Sequence, residues 1–406
     1  MRYARSLGES WSPLHFLSAL GAGGLSVSFF MYIMFGTPHP GHPIPYFDTV
    51  VAALTGANLA HQILAAIAVA GILYFAVMHV RIMVWNFRQY AAFKRSGAYE
   101  RLRKGNNESQ LMAAPLAVAM SINVGFILGA VFVPGLWSIR ELLFPGAILA
   151  FALTGWWALR IYLDFMGRVL VEGGFSCADN NSLGQMLAVF TFAMVGVGFS
   201  ASAAMSHEKL TVTVAFIGAT FFLAAATVLG VMKLILGFRA MMEHKAGVAT
   251  APTLWILIPF LTVLGIGLYR LRMALAHTYG VEVSAGGLFA FLTAVLAIQA
   301  LFGLIGWTVM KRARYFERFV TGPEKSPGSF ALICPGVAIF VFGSFFINIG
   351  LVGIGVVEKL SIAWYVLYLP LVWIQFRTIA TWMRLNAKLL AEPAPARPTG
   401  GLQAAE

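Results

Sequence analysis

Ten long apolar segments, separated by short polar stretches, run along almost the whole chain. A helix that crosses a bilayer needs roughly 20 mostly apolar residues to traverse about 30 Å of hydrocarbon, and each segment is close to that length or longer. The pattern therefore predicts ten transmembrane helices, numbered as spans 1 to 10 in chain order. They are expected at about 13–36, 59–84, 111–134, 142–164, 184–206, 211–236, 252–270, 286–310, 328–354 and 361–383.

The polar stretches between the spans are too short to fold separately, so residues 13–385 are predicted to form one membrane domain. Residues 1–12 lead into span 1 without a cleavage site and are predicted to be a cytoplasmic N-terminus. Residues 386–406 are predicted to be a disordered cytoplasmic tail. The stretch 37–48 contains four prolines and is expected to be extended, whereas 87–110 is expected to form an amphipathic helix at the membrane surface.

The positions of the basic residues predict how the spans are oriented. Of 28 Lys and Arg residues, 23 lie on the same side of the membrane as the N-terminus, and five lie on the other side. Because basic loops stay in the cytoplasm, both termini are predicted to be cytoplasmic, in the inner membrane of the cell. The five exceptions are Arg140, Lys209, Arg270, Arg272 and Lys359.

Composition narrows the classes of function further. Hydrophobic residues make up 59% of the chain and charged residues only 11%, which suits a protein surrounded by lipid. The formal net charge of +12 is dispersed over several short segments, so it argues for membrane topology and against nucleic acid as a partner.

Candidate catalytic groups are scarce. The 16 acidic residues lie almost entirely near span ends or in loops, and the two cysteines, Cys177 and Cys334, are too few for a thiolate metal cluster. The sequence therefore predicts that the protein is not an enzyme and holds neither a metal ion nor a cofactor.

A repeat precedes each odd-numbered span. A residue of the type that caps helix N-termini is followed nine positions later by a small, polar or helix-distorting residue, which is expected to interrupt or bend the helix. The pairs are Ser12 with Gly21, Asn106 with Pro115, Ser182 with Thr191, Thr250 with Pro259, and Ser326 with Pro335.

The repeat predicts an all-α integral membrane protein whose ten transmembrane helices form five helical hairpins around a central pore. Irregular backbone inside a membrane survives only where it faces protein or a water-filled cavity. Helices interrupted at one shared depth are therefore expected to line the axis, so the odd-numbered spans are predicted to be the pore-lining ones.

This topology, over roughly residues 10–385, resembles the tellurite-resistance/dicarboxylate transporter family. The stretches that carry the resemblance are SALGAGGLSVSFF in span 1, PTLWILIP at the start of span 7 and SFALICPGVA in span 9. The family includes plant slow-type guard-cell anion channels, bacterial tellurite-resistance membrane proteins, fungal malate permeases and sulfite exporters. The resemblance implies a homotrimer in which each protomer has its own pore, formed by five inner helices and closed near mid-membrane by an aromatic ring.

The same resemblance implies where that gate lies. In the family a phenylalanine typically stands directly before the proline of span 9, and the matching position here is Cys334, before Pro335. Aromatic residues at a similar depth could supply the missing ring. The candidates are Phe190, Phe192, Phe260 and Phe330.

We expect a passive channel or transporter for small anions, with anions and membrane lipids as its partners. Basic residues at the pore mouths can raise the local anion concentration, and Arg270, Arg272, Lys233 and Lys311 are the candidates. Monovalent anions or oxyanions are favoured over dicarboxylates because no pair of cations within the membrane could hold two carboxylates.

Two other functions remain open at this point. His61 and His79 lie five helical turns apart on span 2, a spacing that suits two haem groups in a membrane electron-transfer subunit. A proton-coupled dicarboxylate or oxyanion exporter is the second alternative, although the spans lack an obvious acid near the midplane.

Overall fold

The computed structural model describes residues 3–173, 175–176 and 180–391, and this part of the chain is almost wholly helical. Ten of its helical segments are long and apolar enough to cross a membrane, which confirms the ten predicted spans. The α-helices are α1 (Phe16–Gly36), α2 (Phe47–Thr55), α3 (Leu59–Phe93), α4 (Gly97–Lys104), α5 (Ala113–Phe132), α6 (Arg140–Glu172), α7 (Met186–Met205), α8 (Lys209–His244), α9 (Leu257–Tyr279), α10 (Ala285–Arg312), α11 (Ile333–Phe345) and α12 (Ile362–Leu389). Helices α2 and α4 are short, and the other ten correspond to the spans.

Several helices continue beyond the apolar stretch that predicted them. Helix α3 ends at Phe93 rather than near residue 84, and α12 continues to Leu389, into the stretch predicted as a tail. The extra turns of α3 carry Asn86 and Gln89, whose side chains are buried in polar contacts with the N-terminal residues. Hydropathy detects the lipid-facing part of a helix, whereas packing beyond the hydrocarbon sets its end. The rest of the predicted tail, from residue 392, lies outside the described residues, as does Cys177.

The two connecting segments, 37–48 and 87–110, each differ in part from their predicted form. The proline-rich stretch from Thr37 to Tyr46 is free of helix, but it is not extended throughout: it turns at Pro40 and Gly41, where the His42 N–H donates to the His39 carbonyl at 3.2 Å. Phe47–Thr55 then forms a short helix that the sequence did not suggest. The amphipathic helix expected over 87–110 is divided: α3 supplies its beginning, and the separate helix α4 follows after a turn. In α4 the carboxyl end carries Arg101, Arg103 and Lys104, where basic side chains interact favourably with the helix dipole.

The spanning helices fall into two groups by burial. In the most apolar stretch of α1, α5, α7, α9 and α11, between 61% and 100% of residues are buried, against 11% to 33% in α3, α6, α8, α10 and α12. These are the odd and the even spans respectively. We call them the buried helices and the exposed helices.

The buried helices pack in a closed order. Helix α1 contacts α5, α5 contacts α7, α7 contacts α9, α9 contacts α11, and α11 returns to contact α1. Each buried helix also packs against the exposed helix that follows it among the spans. The protein core therefore lies among the odd spans, and the even spans present their apolar side chains to the surroundings.

The repeat of the odd spans has a clear structural form. In four of the five odd spans a short 3₁₀ segment precedes the α-helix: Pro13–His15, Asn106–Met112, Ala251–Trp255 and Pro327–Leu332. Pro115, Pro259 and Pro335 each occupy the third position of the α-helix that follows, directly after this junction. Proline is tolerated in a first helical turn because fewer backbone bonds depend on its missing N–H. The prolines therefore mark a 3₁₀-to-α junction rather than a bend inside a long helix.

The two ends of the described chain meet. Tyr3 forms an isolated antiparallel bridge with Ala391, and the Ala4 N–H donates to the Leu390 carbonyl at 2.9 Å. Trp85 of α3 donates its Nε1–H to the Ala4 carbonyl at 2.8 Å. The N-terminal segment thus connects the first exposed helix with the last one.

Candidate functional site

A cavity of about 180 Å³ lies among the five buried helices. Each of these helices contributes at least four residues to its wall, and the contributions recur at helical spacing. On α7 the wall residues are Phe190, Met194, Val197, Ala201 and Met205. Side chains three or four positions apart share one face of a helix, so a single face of α7 borders the cavity along most of its length.

The wall of the cavity is mainly apolar. Among the described residues that line it, the polar side chains are Asn123, Thr262, Cys334 and Arg270, and only Arg270 carries a charge. The Thr262 hydroxyl is 3.1 Å from the carbonyl of Ile258, so much of its hydrogen-bonding capacity is used within α9. The cavity therefore offers a single cation in apolar surroundings.

Arg270 is fixed in place by the backbone of a neighbouring helix. Its Nη1–H donates to the Val197 carbonyl at 3.1 Å, across from α9 to α7. Within the described ranges, no carboxylate lies at ion-pair distance from this half-buried guanidinium. A charge removed from water without a partner is costly, so the site favours an anion that supplies the missing countercharge.

The predicted gate position borders the cavity, together with one of the four aromatic candidates. Cys334 and Phe190 both line the wall. Each stands eight positions after the first residue of its repeat, and Leu20, at the same position in span 1, lines the wall as well. The sequence repeat thus identifies one set of residues that the structure brings together.

The other aromatic candidates face away from the cavity. Phe192, two positions from Phe190, packs against Tyr162 and Phe222 with ring centroids 5.5 and 6.1 Å apart. A separation of two residues on an α-helix turns side chains to nearly opposite faces, so Phe190 and Phe192 cannot share one direction. Phe260 does not line the cavity and points toward Gly230 of α8, while Phe330 lies beside the ring of His15.

Of the four basic candidates, the structure places only Arg270 at the cavity among the described lining residues. Arg272 lies 4.6 Å from the centre of the Phe291 ring on α10. Lys233 is held near the rings of two phenylalanines, Phe165 and Phe175, at 5.6 and 5.7 Å. Lys311 is exposed near the end of α10.

Only some of the residues predicted to interrupt the odd helices border the cavity. Gly21 and Pro259 line the cavity, whereas Pro115, Thr191 and Pro335 are buried elsewhere. The Thr191 hydroxyl is 2.8 Å from the Leu187 carbonyl and 3.1 Å from the Met112 carbonyl, so it contacts the junction at the start of α5.

The two histidines of the haem alternative occupy different settings. His79 is buried, with 1% of its surface exposed. Its Nδ1 lies 2.7 Å from the Ala19 carbonyl and its Nε2 lies 2.7 Å from the Ser121 hydroxyl. An iron atom bound at either nitrogen would have to displace one of these contacts. His61 is half-buried at the start of α3.

The buried carboxylate of Glu108, at the start of span 3, is paired with two arginines. Glu108, which is 2% exposed, lies 3.1 Å from Arg103 and 2.8 Å from Arg168. These contacts tie the start of span 3 to α4 and α6. Among the described residues, no group of three or more His, Cys, Asp or Glu side chains is placed to hold a metal ion.

Sequence reasoning missed several wall residues, including Phe30, Met120, Asn123 and Phe126. The three apolar residues lie on apolar helices and no local motif distinguishes them, whereas Asn123 is a polar residue within an apolar span. Comparison of the sequence with protein-family models and with curated proteins finds no match in either set.

Proposed function

We propose that the protein is a passive channel or transporter for small anions, and that they pass through the cavity among the buried helices. The observation that carries this proposal is Arg270, a cation without a carboxylate partner among the described residues, in an otherwise uncharged and apolar wall. Positive groups in low-dielectric surroundings attract anions strongly. A single cation suits a monovalent anion better than a dicarboxylate.

The proposed architecture is five helical hairpins around a central pore, as in the family that the sequence resembles. The closed order of contacts among α1, α5, α7, α9 and α11 supports it, as does the contribution of every buried helix to one cavity. Each hairpin would consist of a buried helix and the exposed helix that follows it. The homotrimer and the location in the inner membrane with cytoplasmic termini are further parts of the proposal.

The proposed gate is formed by Phe190 together with Cys334. Both line the cavity, and they occupy the same position in the repeats of two different helices. A benzyl group on α7 would then do what the resemblance assigns to a phenylalanine in span 9. Apolar constrictions of this kind stop ions because stripping their water is unfavourable.

The test is anion flux in proteoliposomes that contain chloride, nitrate, sulfite or malate. Arg270→Gln should lower the flux of the preferred anion by about tenfold or more, since even 1.4 kcal/mol of lost attraction changes a rate tenfold. Arg272→Gln is the matched control, because this arginine contacts Phe291 and does not line the cavity. Equal loss in the two variants, or no flux above that of empty vesicles, would refute the proposal.

A pH gradient applied in the same assay separates passive flux from a proton-coupled exporter. Passive flux should follow the electrochemical gradient of the anion alone. Flux that requires the proton gradient would favour the exporter instead.

A further inference from the structure

One part of the cavity wall does not belong to a spanning helix. Ile44 lies in the segment Thr37–Tyr46, which connects α1 to α2, and it lines the cavity with the buried helices. Its side chain is half-buried and packs against the hydrophobic core of the protein. The other lining residues at that end include Met205 and Arg270, near the carboxyl ends of α7 and α9.

The local sequence holds Ile44 in a defined position. Pro43 and Pro45 flank it, and each proline fixes its own φ angle while restricting the residue before it. Tyr46 follows, with its ring stacked on Trp137 at a centroid distance of 6.1 Å, and His42 packs against Tyr46 at 4.6 Å. The segment is thus stiff on both sides of the isoleucine.

This segment is nevertheless held to the rest of the protein without long-range hydrogen bonds among the described residues. Within the described ranges, the hydrogen bonds of Thr37 to Tyr46 all stay within residues 33–50. Aromatic contacts with Trp137 and apolar packing of Ile44 join it to the rest of the protein. Such a segment can move as a unit without breaking long-range hydrogen bonds.

We infer that the segment Thr37–Tyr46 is a lid over the end of the cavity opposite Cys334, and that the Ile44 side chain is its closing element. This inference rests on the proposed function, because it assigns a means of control to the same pathway. It places a second barrier beyond Arg270, so that an anion at Arg270 would lie between the gate at Phe190 and the lid at Ile44.

The test uses thiol labelling, which does not depend on transport. A single cysteine is placed at Ala201, a cavity-lining residue of α7, in a Cys177→Ser, Cys334→Ser background. The protein is reconstituted in nanodiscs and treated with a small charged thiol reagent. Ile44→Ala should speed labelling of this cysteine by about tenfold, because the truncated side chain no longer fills the mouth, and Ile44→Trp should slow it.

The matched control is Ile139→Ala. Ile139 is 47% exposed, lies in the neighbouring connection between α5 and α6, and does not line the cavity. Labelling that is unchanged by both Ile44 variants, or equally changed by Ile139→Ala, would overturn the lid. A response of labelling to Ile44 without any anion flux in the parent would instead preserve the lid and refute the proposed function.

Discussion

Arg270 and Arg272 stand two positions apart, yet only Arg270 lines the cavity. The same holds for Phe190 and Phe192 on α7. In each case a separation of two residues turns the side chains to different faces of the helix. At the level of single residues, the direction of the side chain, rather than the residue type, decides which candidates border the cavity.

The proposed gate leads to a first prediction about flux. Phe190→Ala should raise anion flux because it removes the ring from the cavity wall, and Cys334→Phe should lower it because a benzyl group replaces a thiol. Flux in Cys334→Ala should stay near that of the parent. Phe192→Ala is the control on the same helix, since it loses a buried ring of equal size that faces α6 and α8.

The result is measured as flux per folded protein in proteoliposomes. Equal gains from Phe190→Ala and Phe192→Ala would show general loosening of the helices rather than a gate. A well-folded Cys334→Phe protein that conducts as freely as the parent would remove Cys334 from the constriction.

Sequence reasoning could identify Arg270, Phe190 and Cys334 as candidates, but it could not choose among candidates of the same type. The buried helices are apolar around most of their circumference, so hydrophobic periodicity does not show which face borders a cavity. Wall residues such as Met120 and Phe126 gave no signal for the same reason, whereas Asn123 could have been noticed as a polar side chain within an apolar span.

At the level of helices, the spans were largely predictable and their ends were not. Hydropathy finds the ten apolar stretches, and the repeat before the odd spans corresponds to a 3₁₀ segment followed by an α-helix. Hydropathy could not detect the last turns of α3, because they are stabilised by polar contacts such as that of Asn86 with the carbonyl of His15. Helix α2 was missed because its short sequence follows a proline-rich stretch.

Close packing between α7 and α6 gives a second prediction. A Cβ atom at Gly198 would lie 2.2 Å from ring atoms of Phe151, so Gly198→Ala should force the helices apart and cost about 1–3 kcal/mol of stability. Gly125→Ala on α5 is the matched control, because nothing lies within 4 Å of its would-be Cβ. Thermal unfolding in one detergent measures both variants, and equal melting temperatures would contradict this packing argument.

The segment that carries Ile44 gives a third prediction, on pH. Burial lowers the pKa of His39 below its usual 6.5, its hydrogen bond to Thr37 opposes this, and the charges of Lys359 and His42 lower the pKa further. The packed segment therefore favours neutral imidazole, whereas a released segment takes up a proton at the ordinary pKa. Its packing should be unaffected above about pH 7 and should weaken as the pH falls below 6.5.

Hydrogen exchange of the peptide over 37–46, corrected for the intrinsic effect of pH, measures this loosening. The parent should exchange faster at pH 5.5 than at pH 7.5, and His39→Gln should show little change between the two. An identical pH response in parent and variant would assign the effect to another group.

At the level of the whole molecule, the charge asymmetry gives the fourth prediction. Reporter fusions at Gly105 and Gly247 should report the cytoplasm, and fusions at Gly41 and Gly280 should report the opposite side, because the sequence predicts 23 of 28 basic residues on one side. One inverted reporter would contradict the alternation on which the proposed five hairpins depend.

The contact between Tyr3 and Ala391 also orders events in time. The residues around Tyr3 are made before α1, yet they find these partners only after α12 has been made. Until then the Ser18 hydroxyl, which donates to the Asn386 side chain in the finished protein, has no such partner. We expect nascent chains that stop before α12 to leave uncovered the faces of α1 and α11 that α12 contacts, where quality-control proteases can recognise them. Synthesis of α12 would thus complete the contacts of the segment that precedes α1.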